Sequence, residues 1–297
     1  MARIWNFVGK FGSAGSGNGQ FNTLCAIQVS GSYIYVSDRG NARIQVFNKT
    51  TYSHVANISL PNSGIPYDLD VDSTYIYVTD TVNKKMHIFK IQDFSLHASF
   101  TIREYTSTGG IVTVFCVSNA YIYTVSRSWG NEPYMYIYNQ GTYTQANYYS
   151  LSVAAFNWHD MNLPYKEIEA YVTANTMAGI STPLGNIGIN DGFNAVAMDS
   201  NYIYIARPYA NLIAVYNRST LAFCENFGSG GINNGQFNTP TFIAVDLSTS
   251  RIFVVDSNNN RIQEFELVIG EAPAAPSGLT ANDIGGRSVQ LNWVDNS

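Results

Sequence analysis

FGSAGSGNGQFNT, from Phe11 to Thr23, returns as FGSGGINNGQFNT from Phe227 to Thr239, with 10 of 13 positions identical. Downstream of each copy a second phrase repeats: YVSDRGNARIQVF (Tyr35–Phe47) and FVVDSNNNRIQEF (Phe253–Phe265). Between these copies an Ile-Tyr dipeptide marks weaker ones, at Ile34-Tyr35, Ile76-Tyr77, Ile122-Tyr123 and Ile203-Tyr204. Ala170-Tyr171 and Ile252-Phe253 are variants of it. Successive anchors lie 42, 46, 48, 33 and 49 residues apart, a mean of about 44, which is the length of one four-stranded supersecondary unit.

The second unit shows how such a repeat reads. IPYDLDV, YIYVTD, KMHIFKI and LHASFTI are short, aromatic and β-branched, and turn residues such as Asp72-Ser73 separate them. No window carries the 3.6-residue period of a long amphipathic helix. Six anchors predict an all-β, six-bladed β-propeller. The last unit ends after its third strand, RIQEFELVIG. Meanwhile IWNFVGKFG near the amino terminus resembles AFCENFG (Ala222–Gly228), the outer strand of the fifth unit. Ile4–Phe11 is therefore expected to supply the missing outer strand of the last blade, since an unpaired sheet edge is a liability.

The strongest units, FG…GQFNTP…IAVD…IFVVDSNNNRIQEF, resemble the NHL repeat over residues 1–270. The resemblance implies a six-bladed propeller in which Asp38 with Arg43, and Asp256 with Arg261, are structural pairs joining turns by charge-assisted hydrogen bonds. The middle units depart from it: Lys85 replaces the arginine, Arg207 stands at the aspartate position, and unit four has neither. Residues 271–276 read as a stiff Pro/Ala linker. Residues 277–297, PSGLTANDIGGRSVQLNWVDNS with the preceding proline, resemble the opening of a fibronectin type III module. Such a module needs about 100 residues, so it is incomplete here and a longer multidomain polypeptide is expected.

Composition narrows the partners. Charged residues are 12% of the chain, aromatic residues 14%, and the net charge is -5, which argues against nucleic acid because phosphate binding needs clustered Lys and Arg. No apolar run is long enough to insert in a membrane, and the first ten residues lack the apolar core of a secretory signal. Cys25, Cys116 and Cys224 show no metal-ligand spacing and read as buried thiols.

Chemistry-bearing clusters are sparse. His54, His87 and His97 fall on third or outer strands, away from a central channel. Asp68, Asp70 and Asp72 alternate along an innermost strand, but the aligned units offer Gln28 and Ala244 opposite Asp70, so turn capping and local hydrogen bonds are expected rather than a cation site. Glycine-rich Gly12–Gln20 has no following helix or lysine and reads as a connector between blades. The irregular third and fourth units hold Trp129, Tyr134, Trp158, His159 and Asp160, where aromatic faces beside polar edges suit a protein or glycan surface. Tyr134, Tyr136 and Tyr138 equally suit packing between blades.

The expectation is a binding or scaffold module of an extracellular, cell-surface or virion protein, not an enzyme, with no cofactor and no metal. The alternative is a propeller lyase or hydrolase with a metal in the central channel, which would require converging His, Asp or Glu.

Overall fold

The computed structural model describes residues 3–102, 111–117, 121–127, 134–150, 180–182, 185–187, 195–269, 277–285 and 288–294. Among them the elements are β-strands and short 3-10 turns, with no α-helix. Among the described residues five four-stranded sheets hold most of the strand residues. The first is Leu24–Ser30, Tyr33–Asp38, Arg43–Asn48 and His54–Ser59. The second is Pro66–Val71, Tyr75–Asp80, Lys85–Lys90 and Leu96–Thr101. The third runs from Ile111–Val117 through Tyr121–Arg127 and Tyr134–Asn139 to Gln145–Ser150. A hairpin, Ile180–Thr182 with Gly185–Ile187, precedes the sheet Ala195–Met198, Tyr202–Arg207, Leu212–Asn217 and Phe223–Phe227.

The last sheet is built from both ends of the chain. Pro240–Asp246, Arg251–Asp256 and Arg261–Ile269 are followed, at the outer edge, by Arg3–Phe11. The amino-terminal strand thus covers the edge that the last repeat leaves open.

Strand position explains residue choice. Second strands are buried on both faces: Ile34, Tyr35 and Val36 are each 0% exposed. The pleat sends successive residues to opposite sides. Tyr35 faces Leu69, Ile76 and Val78 of the second sheet, whereas Ile34 and Val36 face Phe253, Val255 and Ile262 of the last. Tyr77, Met86 and Ile88 of the second sheet meet Ile122, Tyr136 and Tyr138 of the third in the same way. Outer strands such as His54–Ser59 alternate between covered (half-buried or buried) and exposed positions because one face meets solvent. The repeat exists because each core lies between two successive sheets.

A second device recurs at the turn between third and fourth strands. Tyr52, Phe94, Tyr143 and Leu221 take φ of 56°, 58°, 55° and 57°. A bulky side chain in the left-handed region costs about 1–2 kcal/mol. Packing offsets it, since three of these rings reach the preceding sheet: Tyr52 stacks on Phe11, Phe94 meets Tyr33, and Tyr143 stacks on Phe100.

By contact density the chain divides into Phe7–Phe265 and a smaller unit of Met1–Asn6 with Glu266–Ser297. In the smaller unit Ser277–Gly285 and Ser288–Val294 form an antiparallel hairpin. The expected linker, residues 271–276, lies outside the described residues.

Candidate functional site

Two loop faces frame the sheets. On the first, carrying the turns between second and third strands, an aspartate organises each strong repeat. Asp38 Oδ2 receives Asn41 Nδ2 at 2.9 Å, Arg43 Nε at 2.8 Å and Gln45 Nε2 at 3.0 Å. Asp256 Oδ2 receives Asn259 Nδ2 at 2.8 Å, Arg261 Nε at 2.7 Å and Gln263 Nε2 at 3.1 Å. The other carboxylate oxygen takes a backbone N–H from the connector, Asn22 at 2.8 Å or Asn238 at 2.6 Å. The arginines continue outward: Arg43 donates to the Gly17 and Gln20 carbonyls, and Arg261 to those of Ile232, Asn233 and Gln236. Arginine thus pins the glycine-rich connector, which lacks a core of its own.

The second sheet shows what happens without that connector. Its approach, Leu60–Ile65, is short, and Asp80 takes the N–H groups of Ile65, Val82 and Asn83 directly. A Cβ on Gly64 would lie 2.0 Å from Asp80 Oδ2, so the chain passes there only as glycine. His87 stands at the glutamine position with Nε2 3.1 Å from Asp80 Oδ2 and Nδ1 2.7 Å from Ser99 Oγ. Burial alone would raise the Asp80 carboxyl, but hydrogen bonds from Asn83, His87 and Ile65 outweigh it and hold it below the usual range. Where Arg207 replaces the aspartate, Ala210, Leu212 and Ala214 replace its Asn, Arg and Gln partners, so the hub is lost as a set.

The opposite face holds a cavity of about 570 Å³ where the innermost strands end. Val71, Ala197, Ile243 and Ala244 give it apolar walls, and Ser30, Asp199 and Asp246 lie at the turns around it. The turn carboxylates are saturated. Asp199 takes the N–H groups of Asn201 and Tyr202 and the Tyr204 hydroxyl, the last at 2.6 Å. Asp246 takes Lys49 Nζ at 2.7 Å, Ser248 Oγ at 2.6 Å and Thr249 Oγ1 at 3.0 Å. Burial would raise Asp246 too, yet Lys49 and these hydroxyls keep it low. Arg218 Nη1 donates to the Asp199 carbonyl. This arrangement offers a fixed polar rim above an apolar shaft. Among the described residues no three His, Cys, Asp or Glu side chains converge on a point suited to a metal ion.

Of the residues singled out in the sequence, Trp129, Trp158, His159 and Asp160 lie outside the described residues. Tyr134 opens the strand Tyr134–Asn139, opposite Ser126 and Ser150. Tyr136 and Tyr138 are buried between sheets. Asp68, Asp70 and Asp72 do not form one carboxylate face: a bulge interrupts the register between Pro66 and Leu69, and Asp72 has left the strand to cap a turn. Cys25 is buried, which pushes its thiol up to about 11, whereas Cys224 is half-buried and departs from the expected buried-thiol role. Sequence reasoning missed Gln45 and Gln263, and placed His87 on a third strand without its role at Asp80. Their signal was the two-residue step from Arg43, Arg261 and Lys85, which places both side chains on one strand face.

Residues 237–265 match the NHL repeat family. Two solved structures share the fold across nearly the whole chain. The β-propeller domain of Myceliophteria thermophila Cps50 (Swd1) is 8% identical with a TM-score of 0.57, covering 89% of this chain and 100% of that one. Myxococcus xanthus glutaminyl cyclase is 11% identical with a TM-score of 0.51, covering 91% and 98%. No curated protein matches the sequence. The fold is a β-propeller, as the repeat period implied. The expectation that the chain is not an enzyme is corrected by the cyclase: an enzyme has a similar fold, so the fold does not exclude catalysis.

Proposed function

We propose that this chain is a six-bladed propeller that works as a binding and scaffold module on an extracellular, cell-surface or virion protein, recognising a protein or glycan surface through its loops. The hairpin Ile180–Thr182/Gly185–Ile187 belongs, in this reading, to the fourth blade, and the hairpin of Ser277–Gly285 with Ser288–Val294 opens a fibronectin type III-like module. The observation carrying the reading is the fixing of the loops. Asp38 and Asp256 each lock a turn and its connector, and Asp80 a turn and the short approach to its sheet, by several hydrogen bonds, and loops held on a rigid scaffold are favoured places for recognition because little ordering entropy is lost on binding. The low share of charged residues, 12%, and the net charge of -5 support a neutral partner over nucleic acid.

Full-length chain applied to glycan arrays, to arrayed surface proteins and to intact cells tests this. Saturable attachment to one of those surfaces is expected. No attachment to any of them sinks the proposal.

A further inference from the structure

A second concavity, an open groove of about 910 Å³, lies where turns of the second and third sheets meet. Asp72 to Tyr75 and His97 come from the second sheet, and Asn139 to Thr144 from the third. We propose that this groove binds a carbohydrate, a choice that rests on the binding-module reading above and names the ligand class of one site within it.

The aromatic part comes first. His97 is exposed and stacks on Tyr75, with ring centroids 4.6 Å apart and planes 27° from parallel. Tyr143 stands edge-on to His97 at 6.5 Å and is itself backed by Phe100 at 5.4 Å. These contacts hold the exposed His97 ring in place, and an aromatic ring so fixed at a groove suits the C–H face of a pyranose.

The polar part is pre-oriented. Asp72 spends its carboxylate on four donors: the N–H groups of Thr74 and Tyr75, the Tyr77 hydroxyl at 2.8 Å and Gln140 Nε2 at 3.0 Å. Gln140 Nε2 also donates to the Tyr77 hydroxyl oxygen, so both of its protons are committed. The direction of the amide is thereby fixed across the sheet boundary, and Gln140 Oε1 is left as an acceptor with no protein donor among the described residues. Asn139 repeats the pattern. Its Nδ2 donates to the Thr144 carbonyl and hydroxyl, leaving Oδ1 open, whereas the matching Asn48 and Asn217 use Oδ1 to cap their own turns. The Thr142 and Thr144 hydroxyls, 2.8 Å apart, complete the rim.

Amide acceptors, hydroxyls and a fixed aromatic ring in one groove fit a polyhydroxylated ligand. The single carboxylate is saturated, so an anionic or cationic ligand has no free countercharge there. A peptide would require an apolar pocket or strand edge, and the groove lining is mostly Ser, Thr, Asn, Gln and Gly.

The test uses the full chain with lactose, cellobiose, maltose and diacetylchitobiose, titrated by calorimetry and by saturation-transfer NMR. One of these sugars should bind in the parent. His97→Ala and Gln140→Ala should each weaken it about tenfold or more, while His97→Phe, which keeps an aromatic ring there, retains binding and all three variants keep the parental melting temperature. Sugar binding that survives both alanine variants overturns the groove as its site and leaves the binding-module reading standing. Attachment only to proteins, with no sugar bound, likewise overturns the groove alone. Failure on sugars, proteins and cells together overturns both. Should His97→Ala or Gln140→Ala melt early, His97→Phe and a Thr142→Val variant, on the exposed rim, decide: loss in Thr142→Val with retention in His97→Phe supports the site, and parental binding in Thr142→Val overturns it.

Discussion

The Tyr52 hydroxyl donates to the Glu264 carboxylate, joining the first sheet to the last across 212 residues of sequence. Three further contacts converge there. Phe11 stacks on the Tyr52 ring, Gly9 passes so close that a Cβ would lie 2.5 Å from the hydroxyl, and Arg251 Nη1 approaches Glu264 at 3.1 Å. Tyr52 therefore holds the amino-terminal strand and the last sheet with one side chain. Tyr52→Phe keeps the stacking but leaves a buried carboxylate short of a donor. It should lower unfolding free energy by about 1–3 kcal/mol, read from urea denaturation with an unchanged slope. A midpoint equal to the parent would show that Arg251 suffices for Glu264.

Four tyrosines, Tyr35, Tyr77, Tyr123 and Tyr204, occupy one repeat position, and three of them show different fates. The Tyr77 and Tyr204 hydroxyls donate to Asp72 and Asp199, but the equivalent turn of the first sheet has Ser30, and the Tyr35 hydroxyl is buried without a partner. The last sheet avoids the problem with Phe253. Tyr35→Phe should then be neutral or stabilising by up to about 1 kcal/mol, whereas Tyr204→Phe should cost about 1–3 kcal/mol by stripping Asp199 of a donor. Equal losses in both variants would mean that Tyr35 has a partner after all.

What could be read from sequence followed from what repeats. The period, the aspartate–arginine pairs and the amino-terminal outer strand were legible because every sheet-to-sheet core imposes the same residues. Gln45, Gln263 and the role of His87 were not, since a polar residue inside a strand carries no turn or charge signature. The left-handed Tyr52, Phe94 and Tyr143 were illegible for a sharper reason. That backbone region ordinarily selects glycine or asparagine, and only contacts with the preceding sheet make a ring acceptable there. The groove at Tyr75, His97 and Gln140 joins turns about 65 residues apart, a distance no local pattern bridges.

Titration should bracket the stable range. Tyr77 and Tyr204 are raised well above the ordinary 10, chiefly by burial and then by their aspartate partners. A raised folded value means full stability below pH 10, lost as pH climbs beyond it. Asp80 and Asp246 are depressed below 3.8, so their contribution is present above that value and disappears as pH falls through the depressed range. Melting temperature should be flat between about pH 5 and 9 and fall on both sides. A tyrosinate absorbance that rises before unfolding, with the ordinary midpoint for all tyrosines, would contradict the alkaline limb.

The outer strand Arg3–Phe11 gives the last prediction. Its residues Phe7 and Phe11 meet different parts of the core: Phe7 lies edge-on to Phe265 at 6.0 Å, and Phe11 packs on Phe47 at 4.8 Å as well as on Tyr52. Deleting residues 1–10 removes Phe7 and Gly9, and leaves Arg261–Ile269 as a nine-residue open edge. The loss combines a strand ladder with buried aromatic area, each aromatic side chain contributing about 1.5–3 kcal/mol on burial, against a total stability of about 5–15 kcal/mol for a domain. Exposed edges also pair with other copies. The truncated chain should melt cooperatively at a much lower temperature and form concentration-dependent aggregates in light scattering. A synthetic peptide of residues 1–11 added in trans should restore part of the melting temperature by occupying that edge. An unchanged melting temperature in the truncated chain would show that the last sheet is stable with three strands.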